Sequence, residues 1–164
     1  MRIRRIILLL FIAFAAFQSV VAQTRDPIAV VLTADGPIMP PLRDYLRRGI
    51  ETANQRNAEV LVIQLNTPGG SVTTMLEIMA DIRASEVPVV VYVAPRNAIA
   101  ASAGAMITMS GHASAMAPET SIGAASPISS SGENLNSTAD TKAKEIIKAS
   151  IRPFVTPRGE KAVE

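Results

Sequence analysis

The sequence predicts an α/β fold with a mainly parallel sheet, and three observations point there. Short runs rich in β-branched residues alternate with segments whose apolar residues recur at helical spacing. The central run, Val60-Leu-Val-Ile-Gln-Leu65, is apolar at nearly every position, as expected of a strand covered on both faces. Aromatic residues make up only 4% of the 164 residues and tryptophan is absent, so the core has to be assembled from Val, Ile, Leu, Met and Ala. That length suits one domain.

The first 22 residues stand apart from the rest. Arg2, Arg4 and Arg5 precede an unbroken apolar run over residues 6–17, and Val20-Val21-Ala22 then gives a small-residue cleavage pattern. Charge, apolar core and cleavage site in that order predict a secretory signal over residues 1–22. Twelve apolar residues are few for a membrane span, which needs about 20; an uncleaved anchor is the alternative. Either way residues 23–164 are expected as one exported domain, on the periplasmic or extracytoplasmic side of the membrane. Without the signal, 13 Lys+Arg face 14 Asp+Glu, so the domain is near neutral and carries no basic footprint for nucleic acid.

Within the domain, residues 27–34 read as a strand. Leu42, Tyr45, Leu46 and Ile50 mark one face of a helix over residues 40–57. After the strand at 60–65, Val72, Met75, Leu76, Met79 and Ile82 mark a second helix over residues 72–84. Pro88 opens a strand at 89–93, and the small-residue block Ala100-Ala-Ser-Ala-Gly104 opens the apolar helical stretch 105–109. Residues 124–140, rich in Ser, Gly and Asn, are expected to be a loop. Residues 141–151 return to a helical pattern that Pro153 and Pro157 should interrupt.

Several chemistries are excluded by composition. With no cysteine there are no disulfides, no thiol nucleophile and no cysteine–zinc site. HExxH, HxxH and acidic clusters are missing, so no metal is expected, and without a P-loop motif no cofactor is either. Two motifs remain. Asn66-Thr-Pro-Gly-Gly-Ser71 follows a buried strand and precedes a helix, where ligands bind in α/β sheets. Gly69 and Gly70 can turn backbone N–H groups outward there, as half an oxyanion hole or an anion cradle or, equally, as a tight connection needing positive φ; Gly69 and Ser71 would line a substrate-binding loop. In the second motif Ser102 stands among alanines at a helix start, where positive potential suits a developing oxyanion. Alternatively it is a plain helix cap in a packing seam.

A serine nucleophile needs a base. The single histidine, His112, lies ten residues on, about 15 Å along a helix, which argues against a Ser-His-Asp arrangement. Lysine is left, at positions 142, 144, 148 and 161. Such a base must be held neutral, usually by burial, and Ser-Lys pairs follow the same logic as the triad. Lys148 and Lys161 read as solvated.

Together these segments resemble the N-terminal protease domain of the NfeD family, the stomatin operon partner proteins, which are membrane-bound relatives of ClpP and signal peptide peptidase A. The resemblance runs from about residue 28 to 159. Leu65-Asn-Thr-Pro-Gly-Gly70, Ala100-Ala-Ser-Ala-Gly104, Ala115-Met-Ala-Pro118 and Ser121-Ile-Gly-Ala124 carry it. It implies a ClpP/crotonase-like fold of repeated β-β-α units with Ser102 as nucleophile. It also implies Lys142 as base, because Ala149, Ile151 and Arg152 then fall at the family's seven, nine and ten places further on; Lys144 would break that register. The Gly70 and Ala103 N–H groups would form the oxyanion hole. The implied substrate is an apolar segment of a membrane protein, such as a stomatin-like one, and the implied assembly is a homo-oligomer. Arg158-Gly-Glu-Lys161 departs from the family's usual Arg-Gly-Arg-Asn. C-terminal membrane and OB-like regions common in the family are expected to lie outside this sequence, with activity reduced without them. A crotonase-type acyl-CoA enzyme and a non-catalytic scaffold at the membrane are the competing classes.

Overall fold

The computed structural model describes residues 26–123, together with Thr141, Glu145, Lys148, Ala149, Arg152 and Pro153. The expected signal, the expected loop at 124–140, Lys142 and Lys144 lie outside those residues.

Four strands form an all-parallel sheet in the order β1 (Ala29–Asp35), β2 (Val60–Asn66), β3 (Val89–Val93) and β5 (Ala113–Met116). Registers run Ala29 to Val60, Leu61 to Val89 and Val90 to Ala113. Parallel neighbours cannot be joined by a hairpin, so every connection crosses over. Helix α1 (Pro40–Gln55) joins β1 to β2, and α2 (Val72–Arg83) joins β2 to β3. A proline at the start of α1 fits because its missing N–H would have no helical partner there. Leu46, Gly49, Ile50 and Ala53 of α1 and Met75, Ile78, Met79 and Ile82 of α2 are buried, as the apolar spacing predicts. Arg43 of α1 ties the two helices by pairing with Asp81 (3.0 Å) and Glu77 (3.4 Å) of α2.

The core lies on one face of this sheet. Rows such as Leu32–Ile63–Val91 and Ala34–Leu65–Val93 are buried in it. The opposite face departs from expectation. Val62 and Gln64 of β2 are only half-buried and Val31 of β1 is 54% exposed, because no described element lies across them. The apolarity of β2 is thus matched by full burial on one side only.

The β-β-α repeat is visible in a second, smaller layer. The second strand of each unit is a single parallel bridge at Ile38–Gly70, then one at Thr67–Ala100, and last the paired strands β4 (Ile99–Ala101) and β6 (Ser121–Gly123). Between β4 and β5 runs α3 (Ala103–Ser110), buried at all positions but Met109. A helix apolar all round belongs inside. Its polar residues are satisfied locally: Thr108 Oγ1 donates to Gly104 O (2.8 Å) and Ser110 Oγ to Ile107 O (2.8 Å).

Of the later helical pattern, Thr141, Glu145, Lys148 and Ala149 are helical and exposed, and Lys148 pairs with Glu145 (3.2 Å), as its solvated reading requires. Arg152 and Pro153 are helical too, so the pattern extends to the proline expected to interrupt it. The fixed φ of proline is itself helical, so its place there costs the N–H bond and crowding of the ring against the preceding turn rather than a change of backbone angle.

Candidate active site

The site is assembled where β2 and β4 end, because both motif segments leave the sheet there. Ser102 occupies the turn between β4 and α3 with φ 53° and ψ −116°, a conformation rare for any residue with a Cβ. Its hydroxyl makes no capping bond to α3, so the cap alternative is not realised in this geometry. Two backbone bonds hold the turn: Ser102 N–H donates to Gly123 O (2.9 Å), and Ser102 O accepts from Ala105 N–H (3.0 Å). Ser102 is partly exposed, whereas Ala103, Gly104 and Ala105 behind it are buried.

Gly69 lies against this turn. A Cβ on Gly69 would come within 2.7 Å of Ser102 Cβ, and its φ of +108° also demands glycine. The two motifs, 33 positions apart in the chain, are therefore in contact. Gly70 presses on the strand-like segment before α1, where a Cβ would come within 2.3 Å of Ile38 O. Ile38 N–H donates to Gly69 O (2.8 Å) and Ser71 N–H to Ile38 O (2.9 Å). Among the described residues, neither the Gly70 nor the Ala103 N–H meets an acceptor. Ser71, expected in the substrate loop, spends its hydroxyl as the cap of α2, accepting from Thr74 N–H (3.3 Å).

Two residues that sequence reasoning did not single out brace the loop. Asn66 donates from Nδ2 to Asp35 (3.1 Å) and accepts at Oδ1 from Ile99 N–H (3.0 Å), linking β1, β2 and β4. Thr67 is wholly buried and bonds to Gly69 through its side chain. Neither carries a signal readable in one sequence beyond membership of the Asn-Thr-Pro-Gly-Gly run.

His112 is removed from this end of the sheet. Its Nδ1 accepts from Val89 N–H (3.1 Å) at the start of β3, whereas Ser102 sits by the ends of β2 and β4. Beside Ser102, an open apolar depression of about 230 Å³ is lined by Ile99, Ala101, Ser121, Ile122 and Gly123. A larger hollow at Asp26, Ile28, Gln55, Arg56, Asn57 and Glu59 lies at the other end of the sheet and holds no nucleophile. No group of three or more metal-ligating side chains occurs among the described residues.

The family described as NfeD1b, N-terminal domain, matches residues 30–155. The membrane-bound protease PH1510 of Pyrococcus horikoshii is 40% identical over 131 residues, covering 80% of this chain and 29% of that protein. The membrane protein NfeD1b of Bacillus subtilis is 30% identical over 125 residues, covering 76% of this chain and 27% of that protein. The chain thus spans under a third of the length of these relatives. Among solved structures, a lysine-to-alanine variant of the 1510-N membrane-bound stomatin-specific protease with a substrate peptide aligns with TM-score 0.72 and 37% identity, covering 80% of this chain and 60% of that one. A serine-to-alanine variant of the same protease gives TM-score 0.73 at 37% identity, covering 80% and 64%. The ClpP catalytic domain of Plasmodium falciparum, at 18% identity and TM-score 0.60 over 77% and 66%, shares the fold. The parallel sheet with its bridge-linked second layer is the ClpP-like architecture, and with the match across residues 30–155 the chain belongs to the NfeD1b N-terminal domain family.

Proposed function

We propose that this domain is a membrane-associated serine peptidase of ClpP-like type, with Ser102 as nucleophile and Lys142 as base. One observation carries the reading: Ser102 is held in a rare backbone conformation at a strand–helix turn, its hydroxyl unspent on the helix and its flank kept clear by Gly69. The similar proteases, solved as serine-to-alanine and lysine-to-alanine variants, support it.

In this mechanism neutral Lys142 accepts the Ser102 proton as Oγ bonds to the scissile carbonyl carbon. The carbonyl oxygen, now an oxyanion, accepts from the Gly70 and Ala103 N–H groups. As the C–N bond breaks, the Lys142 ammonium returns its proton to the leaving amine. Lys142 then deprotonates a water that attacks the acyl ester, and release of the acid restores the Ser102 hydroxyl. The substrate is an apolar segment of a membrane protein. The apolar depression with Ile99 and Ile122 beside Ser102 supports that, as does the stomatin specificity of the similar protease. Residues 1–22 direct the domain out of the cytoplasm.

A fluorophosphonate probe should label Ser102 in the purified full chain and leave Ser102→Ala untouched; equal labelling of both would end the serine assignment. With an apolar peptide, Lys142→Ala should lower kcat by about a thousandfold or more, with its circular dichroism unchanged, while Lys144→Ala stays active. The reverse result moves the base to Lys144. An intact, folded wild type that neither hydrolyses peptide nor takes up the probe favours the scaffold.

A further inference from the structure

We infer that Thr67 is a positioning residue for the oxyanion hole: its hydroxyl latches the Gly69–Gly70 peptide so that the Gly70 N–H is presented to the carbonyl under attack. The inference rests on the serine peptidase reading and assigns one side chain to its hardest geometric task. Thr67 has no exposed surface, and a buried hydroxyl is retained only where it has partners. Both of its partners belong to one residue. Thr67 Oγ1 accepts from Gly69 N–H (3.1 Å) and lies 3.4 Å from Gly69 O.

The latch is itself anchored. Thr67 N–H donates to Ile99 O (2.7 Å) and Thr67 O accepts from Ala101 N–H (3.0 Å), so its backbone is stitched to the strand that delivers Ser102. Its methyl group fills the space that a Cβ on Gly104 would need, 2.4 Å from Cγ2. A β-branched side chain is stiff at χ1, and with its methyl group set against Gly104 its Oγ1 meets Gly69. Gly104 is thus the counterpart of Thr67, small because the methyl group is there.

Two consequences follow for the hole. The Gly69 N–H is consumed by Thr67, which leaves Gly70 as the donor. The Gly69–Gly70 peptide is trans, so its N–H points opposite to its C=O. Ile38 N–H (2.8 Å) is the main holder of that C=O, the Thr67 hydroxyl adds a longer contact at 3.4 Å besides its bond from Gly69 N–H (3.1 Å), and the Gly70 N–H points the opposite way. Glycines tolerate either sign of φ, so a peptide flanked by Gly69 at +108° and Gly70 at +155° has little of its own to prevent it from turning over. A turned peptide would put a carbonyl oxygen where the oxyanion must go. If Thr67 were only core filler, valine would serve equally well.

The test compares Thr67→Val, which keeps the methyl group and puts a second one in place of the hydroxyl, with Thr67→Ser, which keeps the hydroxyl and loses the methyl group, in the full chain. Thr67→Val should lower kcat by about tenfold to a hundredfold with KM little changed, and should speed hydrogen exchange of the Gly69 amide; Thr67→Ser should restore most of kcat and the slow exchange. Should Thr67→Val melt below the assay temperature, Thr67→Ala against Thr67→Ser carries the same comparison, since those two differ by the hydroxyl alone. Wild-type kcat in the hydroxyl-free variant overturns the inference, as does a Thr67→Ser variant as slow as Thr67→Val. A wild type silent to both peptide and probe fells the peptidase reading instead, and Gly69 exchange then decides the latch by itself: unchanged exchange without the hydroxyl overturns it.

Discussion

Ser102 has the only serine backbone with positive φ among the described residues, and a side chain in such a region costs about 1–3 kcal/mol. That strain gives a stability signature separate from activity. Ser102→Ala keeps the strained Cβ and should match wild type in urea unfolding. Ser102→Gly should be more stable than Ser102→Ala by about 1 kcal/mol, the strain relieved exceeding the entropy that glycine adds to the unfolded chain. A glycine variant weaker than the alanine one would mean that the turn is unstrained. At the facing position, Gly104→Ala would drive a Cβ into the Thr67 methyl group and should cost about 1–3 kcal/mol, read by the same unfolding curves. Small-residue blocks marked Gly69, Gly70 and Ser102 in the sequence, because close approach needs small side chains whatever the fold, while Ala103 entered only through the family resemblance; the close approach at Gly69 and Gly70 is what the structure shows. The conformation of Ser102 was not legible. Asn57 and Asn97 also have positive φ and belong to a residue type that signals it, while serine does not. Thr67 was invisible for another reason: its importance lies in which partners the fold brings to it.

Among the elements, β1, β2, β3, α1 and α2 follow the apolar runs and helical spacings within a few residues, since each buries enough of its own surface to leave a pattern. Strands β4, β5 and β6 left none. Ile99-Ala-Ala, Ala113-Ser-Ala-Met and Ser121-Ile-Gly are short and built from small residues, and they are strands because β3 and one another supply the partners. The turns leading into β4 and β6 are joined by Arg96, whose Nε donates to Glu119 Oε2 (2.6 Å) and whose Nη2 donates to Oε1. That bond holds the Glu119 carboxyl below its ordinary range. A carboxylate with lowered folded-state pKa contributes stability above its unfolded pKa and loses it as pH falls through the folded value. Both side chains are more than half exposed, so the contribution is small and screened by salt. Glu119→Gln should therefore be slightly less stable than wild type near neutral pH, with the gap closing in acid, below about pH 4. A gap in the urea midpoint that stays constant across this range would show that the pairing does not matter for stability.

At the scale of the whole molecule, the half-covered sheet face with Val31, Val62 and Gln64 fits the homo-oligomer that the family resemblance implies. Light scattering at micromolar concentration should find more than a monomer, and a monomer alone would count against it. Mass spectrometry of exported protein should find an N-terminus at Gln23; one at Met1 would favour the anchor. The bond from Ser102 N–H to Gly123 O has a consequence in time. A chain emerging amino end first completes the four-stranded sheet once Met116 is out, yet β4 still lacks β6. Until Gly123 arrives, the Ser102 N–H lacks its acceptor and the turn is held only by the bond from Ala105 N–H to Ser102 O, and the proposed base follows later still. On the proposed peptidase reading, the parts of the site would therefore come together only after the sheet has formed. A chain stopped after Met116 should show fast hydrogen exchange at the Ser102 amide where the full chain shows slow exchange, and slow exchange in both would remove the ordering.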